Sequence, residues 1–228
     1  MLGYFKDWSP FEKSWLLGFT LIEFYLFYAW NDSVIGLITM LTGIWCVVLV
    51  TKGKRLNYIP GLVNVILYAY ISYGSKLYGE VMLNALYFMP MQFIGYYMWS
   101  KHLRADDNVT VKMLSNMARA NVLICSALAV FFYGLWLQEL GGNFPFVDAT
   151  STVLSVIACL LMICRYGEQW VLWIFVNIVS IIMWVGIFLQ DDTGLSMIVM
   201  WSAYLINAIY GLWNWNKMHK NQRKSDYV

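Results

Sequence analysis

The sequence predicts an all-α polytopic membrane protein with eight transmembrane helices, and three observations lead to this fold class. Only 12% of the 228 residues are charged and 61% are hydrophobic, whereas a soluble domain carries about 25% charged residues. The apolar residues fall in runs of about 17–25, the length of a helix that crosses a bilayer. The basic residues lie in short clusters between these runs. A net charge of +2 without a basic stripe disfavours a nucleic-acid partner.

Eight apolar runs are long enough to cross a bilayer. They cover residues 14–30, 34–51, 56–74, 79–99, 119–138, 146–164, 169–189 and 195–215. The first run lacks a small-residue cleavage site, which predicts a retained helix and not a removed signal peptide. Four amides interrupt the third and fourth runs, namely Asn57, Asn64, Asn84 and Gln92. Between the fourth and fifth runs, residues 100–118 predict a solvated loop or a segment lying on the surface.

The basic residues predict the orientation, because Lys and Arg accumulate in the cytoplasmic loops of membrane proteins. Eight spans place both termini on one side of the membrane. Fourteen of the fifteen basic residues fall on that side, and Lys76 falls on the other. We therefore expect cytoplasmic termini in a bacterial inner membrane, with the loops at 31–32 and 191–192 outside.

The second to fourth spans resemble the sixth to eighth. A shift of 113 residues brings LTGIWC (41–46) onto LSVIAC (154–159) and VNV (63–65) onto VNI (176–178). One span separates the two units, so both start on the same side, as parallel repeats do in some transporters. The expected plan is an extra amino-terminal helix followed by a 3+1+3 arrangement. Its parts are an N-terminal segment and extra helix (1–31), a first three-helix repeat (32–102), a loop and connecting helix (103–142), a second repeat (143–217) and a basic cytoplasmic tail (218–228).

Four spans carry polar and aromatic side chains on one face. In the seventh span these residues recur at spacings of three and four, which places them on one side of a helix: Trp170, Trp173, Asn177, Ser180 and Trp184. The eighth, fourth and third spans have similar stripes. We expect the stripes to line one substrate cavity, formed by Asn64, Asn84, Phe88, Gln92, Trp173, Asn177, Trp184, Tyr204, Asn207 and Asn214.

A structural role is the alternative for these side chains, since amides also hold transmembrane helices together by hydrogen bonds of about 0.6–2 kcal/mol. Tryptophans near span ends are typical of the belt at the membrane interface. We expect that role for Trp15, Trp30, Trp99, Trp136 and Trp215. Pro90, two residues before Gln92, should kink the fourth span and free the carbonyl of Leu86, and it is the candidate hinge.

The sequence also lacks several kinds of site. Glu23 is the one ionisable side chain at the middle of a predicted span, and Glu80 lies near an outer end. No carboxylate or histidine relay of the kind found in proton-coupled carriers is present, and no phosphate-binding loop or catalytic motif occurs. The four cysteines form neither a CxxC motif nor a Cys/His cluster. We therefore expect no enzyme activity, cofactor or metal, and transport by facilitated diffusion.

Three segments resemble the PnuC-type nicotinamide riboside transporters. They are LYGEVMLNALYFMPMQFIGYYMWSKH (77–102), EQWVLWIFVNIVSIIMW (168–184) and YGLWNWNKMH (210–219). The resemblance extends from about residue 33 onward, and the first 30 residues carry little of it. It implies a SWEET-like fold of paired three-helix repeats. It also implies uptake of nicotinamide riboside by facilitated diffusion, with a cytoplasmic kinase that phosphorylates the vitamin and traps it inside.

Other functions compete with this one. Relatives of the same fold carry thiamine, riboflavin or sugars, so the fold alone does not fix the substrate. A non-transporting membrane subunit would pack the amide stripes dry against other helices. A membrane enzyme would need catalytic residues near an interface, and none is evident. The sequence leaves the formation of a homo-oligomer open.

Overall fold

The computed structural model describes residues 8–30, 33–74, 81–104, 108–139, 145–191 and 195–225. Within these ranges the chain is all-α, as predicted, with eight α-helices and two isolated β-bridges. The helices are α1 Pro10–Trp30, α2 Val34–Thr51, α3 Tyr58–Gly74, α4 Met89–Ser100, α5 Asn116–Glu139, α6 Pro145–Ile163, α7 Gln169–Asp191 and α8 Leu195–Ser225. A 3-10 turn, Arg55–Asn57, precedes α3, and a π-helical segment, Leu83–Phe88, leads into α4.

Local sequence signals set the starts of the first two helices. The Glu12 amide N–H donates to Ser9 Oγ at 3.2 Å, and the Ser9 amide N–H donates to Glu12 Oε2 at 2.7 Å. This reciprocal pair is a capping box, and Pro10 occupies the first helical position, where its missing N–H has no cost. At α2, the Gly36 amide N–H donates to Ser33 Oγ at 2.9 Å. Both helices therefore begin where side chains satisfy exposed amide groups.

Three of the described helices, α2, α5 and α6, are long and apolar enough to cross a membrane. Among the others, α3 and α4 are shorter, with 17 and 12 residues. The helices α1 and α8 contain charged residues, which lower their hydropathy. The count of eight transmembrane spans therefore stays a prediction.

The chain divides into two compact units. The first unit comprises Met1–Val50 and Leu56–Gln92, and the second comprises Thr51–Arg55 and Phe93–Val228. In the first unit, Trp8 packs on Trp45 with ring centroids 6.4 Å apart. Asn64 of α3 donates through Nδ2 to the carbonyl of Thr39 in α2 at 2.7 Å. This bond is the helix-to-helix contact expected of an amide in a transmembrane helix, and Asn64 is half-buried.

In the second unit, each helix from α5 to α8 packs against the next one along the chain. The described residues between α4 and α5, 101–104 and 108–115, are not a fully solvated loop, because Val109 and Val111 are buried. The Val109 amide N–H donates to the carbonyl of Gly53 at 3.0 Å, and the Lys112 amide N–H donates to the carbonyl of Arg165 at 2.9 Å. We call residues 101–104 and 108–115 the connecting segment. Its backbone ties together the turns that follow α2 and α6.

Residues 218–225, which the sequence assigned to a basic tail, are helical, since α8 continues to Ser225. Gln222 accounts for part of this order. Its Oε1 accepts from the amide N–H of Val111, and its Nε2 donates to the carbonyl of Val109, both at 2.9 Å. His219 Nδ1 lies 3.2 Å from the carbonyl of Val111. The last turns of α8 therefore anchor the connecting segment.

Candidate functional site

The face of α7 presents the most distinctive polar side chains of the second unit. Asn177 is 3% exposed and Ser180 is 1% exposed. Neither side chain forms a hydrogen bond with any residue that the structure describes, although Ser126 and Ser202 each donate to the carbonyl four residues earlier. The polar atoms of Asn177, unlike Oε1 of Gln92, are not among the fully buried side-chain atoms without a partner. Its hydrogen-bonding capacity is thus available to a ligand.

The aromatic residues of the same stripe differ in burial and in the side chains that they contact. Trp173 is half-buried on α7, four residues before Asn177. Trp170 is buried, and its ring lies 6.0 Å from that of Trp215. A Cβ atom at Gly211 would meet the Trp170 ring at 2.7 Å, so glycine is needed at this contact. The side chain of Trp184 lies outside the described part of the chain.

The amides of α8 have partners within the protein. Asn207 donates through Nδ2 to Thr51 Oγ1 at 3.0 Å. Asn214, two helical turns further along α8, donates through Nδ2 to the carbonyl of Thr51 at 2.9 Å. Thr51 is 1% exposed. Both donors therefore fix the end of α2 to α8. Tyr204 is half-buried and packs edge-on against Trp201.

The candidates of the first unit lie on α3, on the π-helical segment and in the first turn of α4. Asn84 is buried within the π-helical segment and Phe88 is its last residue. Gln92 is 8% exposed, and its Oε1 is buried without a hydrogen-bond partner among the described residues. A Cβ at Gly61 would approach this oxygen to 2.5 Å. Gly61 thus leaves space for the Gln92 side chain.

The structure gives Pro90 a more specific setting than a simple kink. The Met89 amide N–H bonds to the carbonyl of Asn84, five residues earlier, which defines the π-helical turn. Proline has no N–H and its ring clashes with the carbonyl four residues before it. A wider turn directly before Pro90 relieves that clash, and such turns are frequent at functional sites. The role of Pro90 as a hinge stays a prediction.

The sequence missed Gln169 and misassigned two tryptophans. Gln169 is fully buried at the start of α7, and neither atom of its amide has a partner in the described residues. Trp99 and Trp215 are fully buried with ring centroids 5.9 Å apart, so they are not part of the interfacial belt. Trp99 Nε1 donates to the carbonyl of Met162 at 3.0 Å. Their position near the end of a span did not reveal that these rings point toward neighbouring helices and not toward lipid.

Several titratable groups of the described chain lie at or near the turns and in α1. Arg165 is 2% exposed, and burial lowers the pKa of its guanidinium, while Cys164 and Tyr166 act in the opposite direction. His102 Nδ1 lies 2.8 Å from the carbonyl of Met98. Glu23 is fully buried in α1, and Glu80 and Lys76 lie outside the described residues. Among the described residues, no group of His, Cys, Asp and Glu could hold a metal ion.

Comparisons with known proteins agree with this picture. A family model described as nicotinamide mononucleotide transporter matches residues 33–217. The nicotinamide riboside transporter PnuC of Neisseria mucosa is 43% identical over 222 residues, covering 95% of this chain and 84% of that protein. The protein of the same name from Haemophilus influenzae is 36% identical, covering 95% and 94%. A solved structure described as the crystal structure of the vitamin B3 transporter PnuC is similar with a TM-score of 0.86 at 42% identity, covering 96% of this chain and 95% of that one.

Proposed function

Because the chain belongs to the PnuC family, whose members are multi-pass bacterial membrane transporters and not enzymes, we propose that it takes up nicotinamide riboside by facilitated diffusion. The matched relatives are named for this substrate. Phosphorylation by a cytoplasmic kinase would then trap the vitamin inside the cell. We further propose an inner-membrane location with both termini cytoplasmic, and an extra helix followed by a 3+1+3, SWEET-like arrangement.

Asn177 is the observation that carries the proposal. It is buried, has no partner among the described residues, and lies one helical turn after Trp173. Nicotinamide riboside has a cationic pyridinium ring, a carboxamide and a neutral ribose. An amide offers donors and acceptors for the carboxamide and the hydroxyls. A tryptophan face attracts the cationic ring by about 0.5–2 kcal/mol.

The other predicted contacts stay proposals in two sets. In the second unit we propose contacts from Tyr204, Asn207, Asn214 and Trp184 beside Trp173 and Asn177. In the first unit we propose contacts from Asn64, Asn84, Phe88 and Gln92, with Pro90 as the hinge. Gln92 is the strongest of the first-unit residues, because its buried Oε1 has no partner among the described residues.

The family description names the mononucleotide, whereas the relatives are named for the riboside. The two compounds differ by a phosphate group, which usually requires Arg or Lys for recognition. The third, fourth, seventh and eighth predicted spans contain no Lys or Arg. This absence supports the riboside as the substrate. It also suits trapping, because a phosphorylated product would find no basic partner on the polar stripes.

Uptake measurements test the proposal directly. Cells lacking their own carrier should import labelled nicotinamide riboside when they express this chain. Unlabelled riboside should compete, and the mononucleotide, thiamine and riboflavin should not. In liposomes containing only this protein, the riboside should equilibrate and stop. Competition by thiamine or riboflavin alone would assign a different vitamin, and accumulation driven by a pH gradient would overturn facilitated diffusion.

A further inference from the structure

Four helices of the second unit surround an apolar crevice of about 540 Å³. Its walls are aliphatic and aromatic, and two of the wall residues, Leu123 and Phe175, are 72% and 55% exposed. In a membrane protein such exposed apolar side chains face the hydrocarbon of the bilayer. The walls include Leu123 of α5, Leu154 and Leu161 of α6, Val171 and Phe175 of α7, and Leu212 of α8.

An open, basic surface groove lies along the last turns of α8, and all of its lining residues belong to that helix. Four cations and no acidic residue line it: Lys217, Lys220, Arg223 and Lys224. Asn216 lines this basic groove and the apolar crevice alike, so the two adjoin. The crevice also contains an ion pair of Arg119 and Glu168, with 2.8 Å between Nε and Oε1. Arg119 offsets the charge of Glu168, which leaves the groove cationic.

Trp213 indicates the depth of this junction in the membrane. Its ring is 56% exposed and lines the groove, and Lys217 Nζ lies 5.0 Å from the ring centroid. Exposed tryptophans collect at the level of the lipid headgroups, with lysines extending toward water. The crevice extends from Asn216 past Leu212 to the apolar residues of α6 and α7, and these apolar walls are therefore at the depth of acyl chains. The basic groove, on the polar side, is at the depth of phosphates.

We propose that the crevice and the groove together bind one anionic phospholipid. Its phosphate contacts Lys217, Lys220 and Arg223, and an acyl chain fills the crevice. A zwitterionic headgroup would leave the four cations without a net counter-charge, and inorganic phosphate would leave the apolar walls uncovered. Basic pockets beside transmembrane helices bind anionic headgroups in this way. The site is separate from the candidate substrate contacts and does not depend on which vitamin is carried.

The headgroup half is tested with delipidated protein in detergent, titrated with phosphatidylglycerol and followed by native mass spectrometry. The triple variant K217Q/K220Q/R223Q should lose affinity roughly a hundredfold, at about fivefold for each cation near a membrane surface. The triple variant K13Q/K101Q/K112Q removes the same charge from exposed lysines outside the groove and the crevice and should bind like the parent. Phosphatidylcholine and inorganic phosphate should bind the parent far more weakly than phosphatidylglycerol.

The acyl-chain half is tested with a matched pair on α7. Val171 and Ile178 are both 40% exposed, but only Val171 lines the crevice. Val171→Trp should obstruct the crevice and weaken phosphatidylglycerol binding, whereas Ile178→Trp should not. Thermal unfolding of each variant confirms that it is folded. Equal binding of phosphatidylcholine, or of phosphate alone, would overturn the proposal. So would a change of oligomeric mass in Val171→Trp at unchanged lipid affinity, which would make the crevice an interface between copies of the chain.

Discussion

Asn177 and Asn207 are equally buried, at 3% exposure, but have different partners. Asn177 has none among the described residues, so we expect its replacement by leucine to remove only the substrate contacts that we propose for it. We expect Asn177→Leu to weaken nicotinamide riboside binding by about 1–3 kcal/mol, roughly five- to 150-fold. Its melting temperature should stay that of the parent. Calorimetric titration measures the affinity, and parental binding by a folded variant would falsify the assignment of Asn177.

Asn207→Leu is the matched comparison on α8. It removes the hydrogen bond to Thr51 Oγ1 and leaves a hydroxyl that is 1% exposed without this partner. We expect the unfolding free energy to fall by about 1–3 kcal/mol, measured as a lower melting temperature. Binding by the folded fraction should change less than in Asn177→Leu. An affinity loss as large as that of Asn177→Leu, at parental stability, would contradict this expectation and make Asn207 a substrate contact.

At the scale of single residues, the sequence predicted which side chains are buried better than it predicted their hydrogen-bond partners. Helical spacing correctly placed Asn177 and Ser180 on one buried face. It could not distinguish Asn177, which lacks a described partner, from Asn207, whose partner Thr51 is 156 positions away. The interfacial belt was wrong at Trp99 and Trp215 for a related reason. Distance from a span end gives the depth of a ring in the membrane, but the neighbouring helices decide whether the ring points toward lipid.

Among the helices, Pro90 and Pro60 form a natural comparison. Pro60 lies in the first turn of α3, where proline is tolerated, whereas Pro90 lies inside a helical stretch. We expect Pro90→Ala to raise the melting temperature, by part of the roughly 3 kcal/mol that an interior proline costs. If the π-helical segment works as a hinge, uptake should become slower. Pro60→Ala should change neither quantity, and an unchanged uptake rate in Pro90→Ala would exclude the hinge.

Gln222 and Asn221 offer a second comparison, at the end of α8. Gln222 makes two hydrogen bonds to the backbone of the connecting segment, and Asn221 is exposed. We expect Gln222→Ala to destabilise the protein by about 1–3 kcal/mol, at 0.5–1.5 kcal/mol for each bond. Amide hydrogen exchange at residues 109–112 should become faster. Asn221→Ala is the control, and equal exchange in the two variants would show that Gln222 does not hold the segment.

Helix positions followed from the apolar runs, and the predicted bounds of α2, 34–51, agree with the structure. The apolar runs did not predict the features of the backbone that are independent of hydropathy. α8 continues ten residues past the end of its predicted span because a helix needs no lipid around it to keep its hydrogen bonds. The π-helical segment has no apolar signature at all. The burial of Val109 depends on carbonyl partners in distant turns, which a local pattern does not reveal.

For the whole molecule, the division of basic residues predicts that both termini are cytoplasmic. In a variant without native cysteines, a cysteine at position 192 should react with an impermeant maleimide added outside, and a cysteine at position 221 should not. Labelling after membrane permeabilisation is the control, since both positions should then react. The opposite labelling pattern would refute the count of eight spans. Sequence sufficed for the family and the all-α fold, because both depend on features spread along the chain.

The two turns that the connecting segment joins differ in sequence but share a conformation. Gly53 and Arg165 are the residues with positive φ in the described chain, at 68° and 65°, and each offers its carbonyl to that segment. A main-chain carbonyl is present whatever the side chain. Mutation could therefore change one turn to glycine and the other to arginine without removing the anchor. A shared backbone conformation would in this way outlast residue identity between the two predicted repeats.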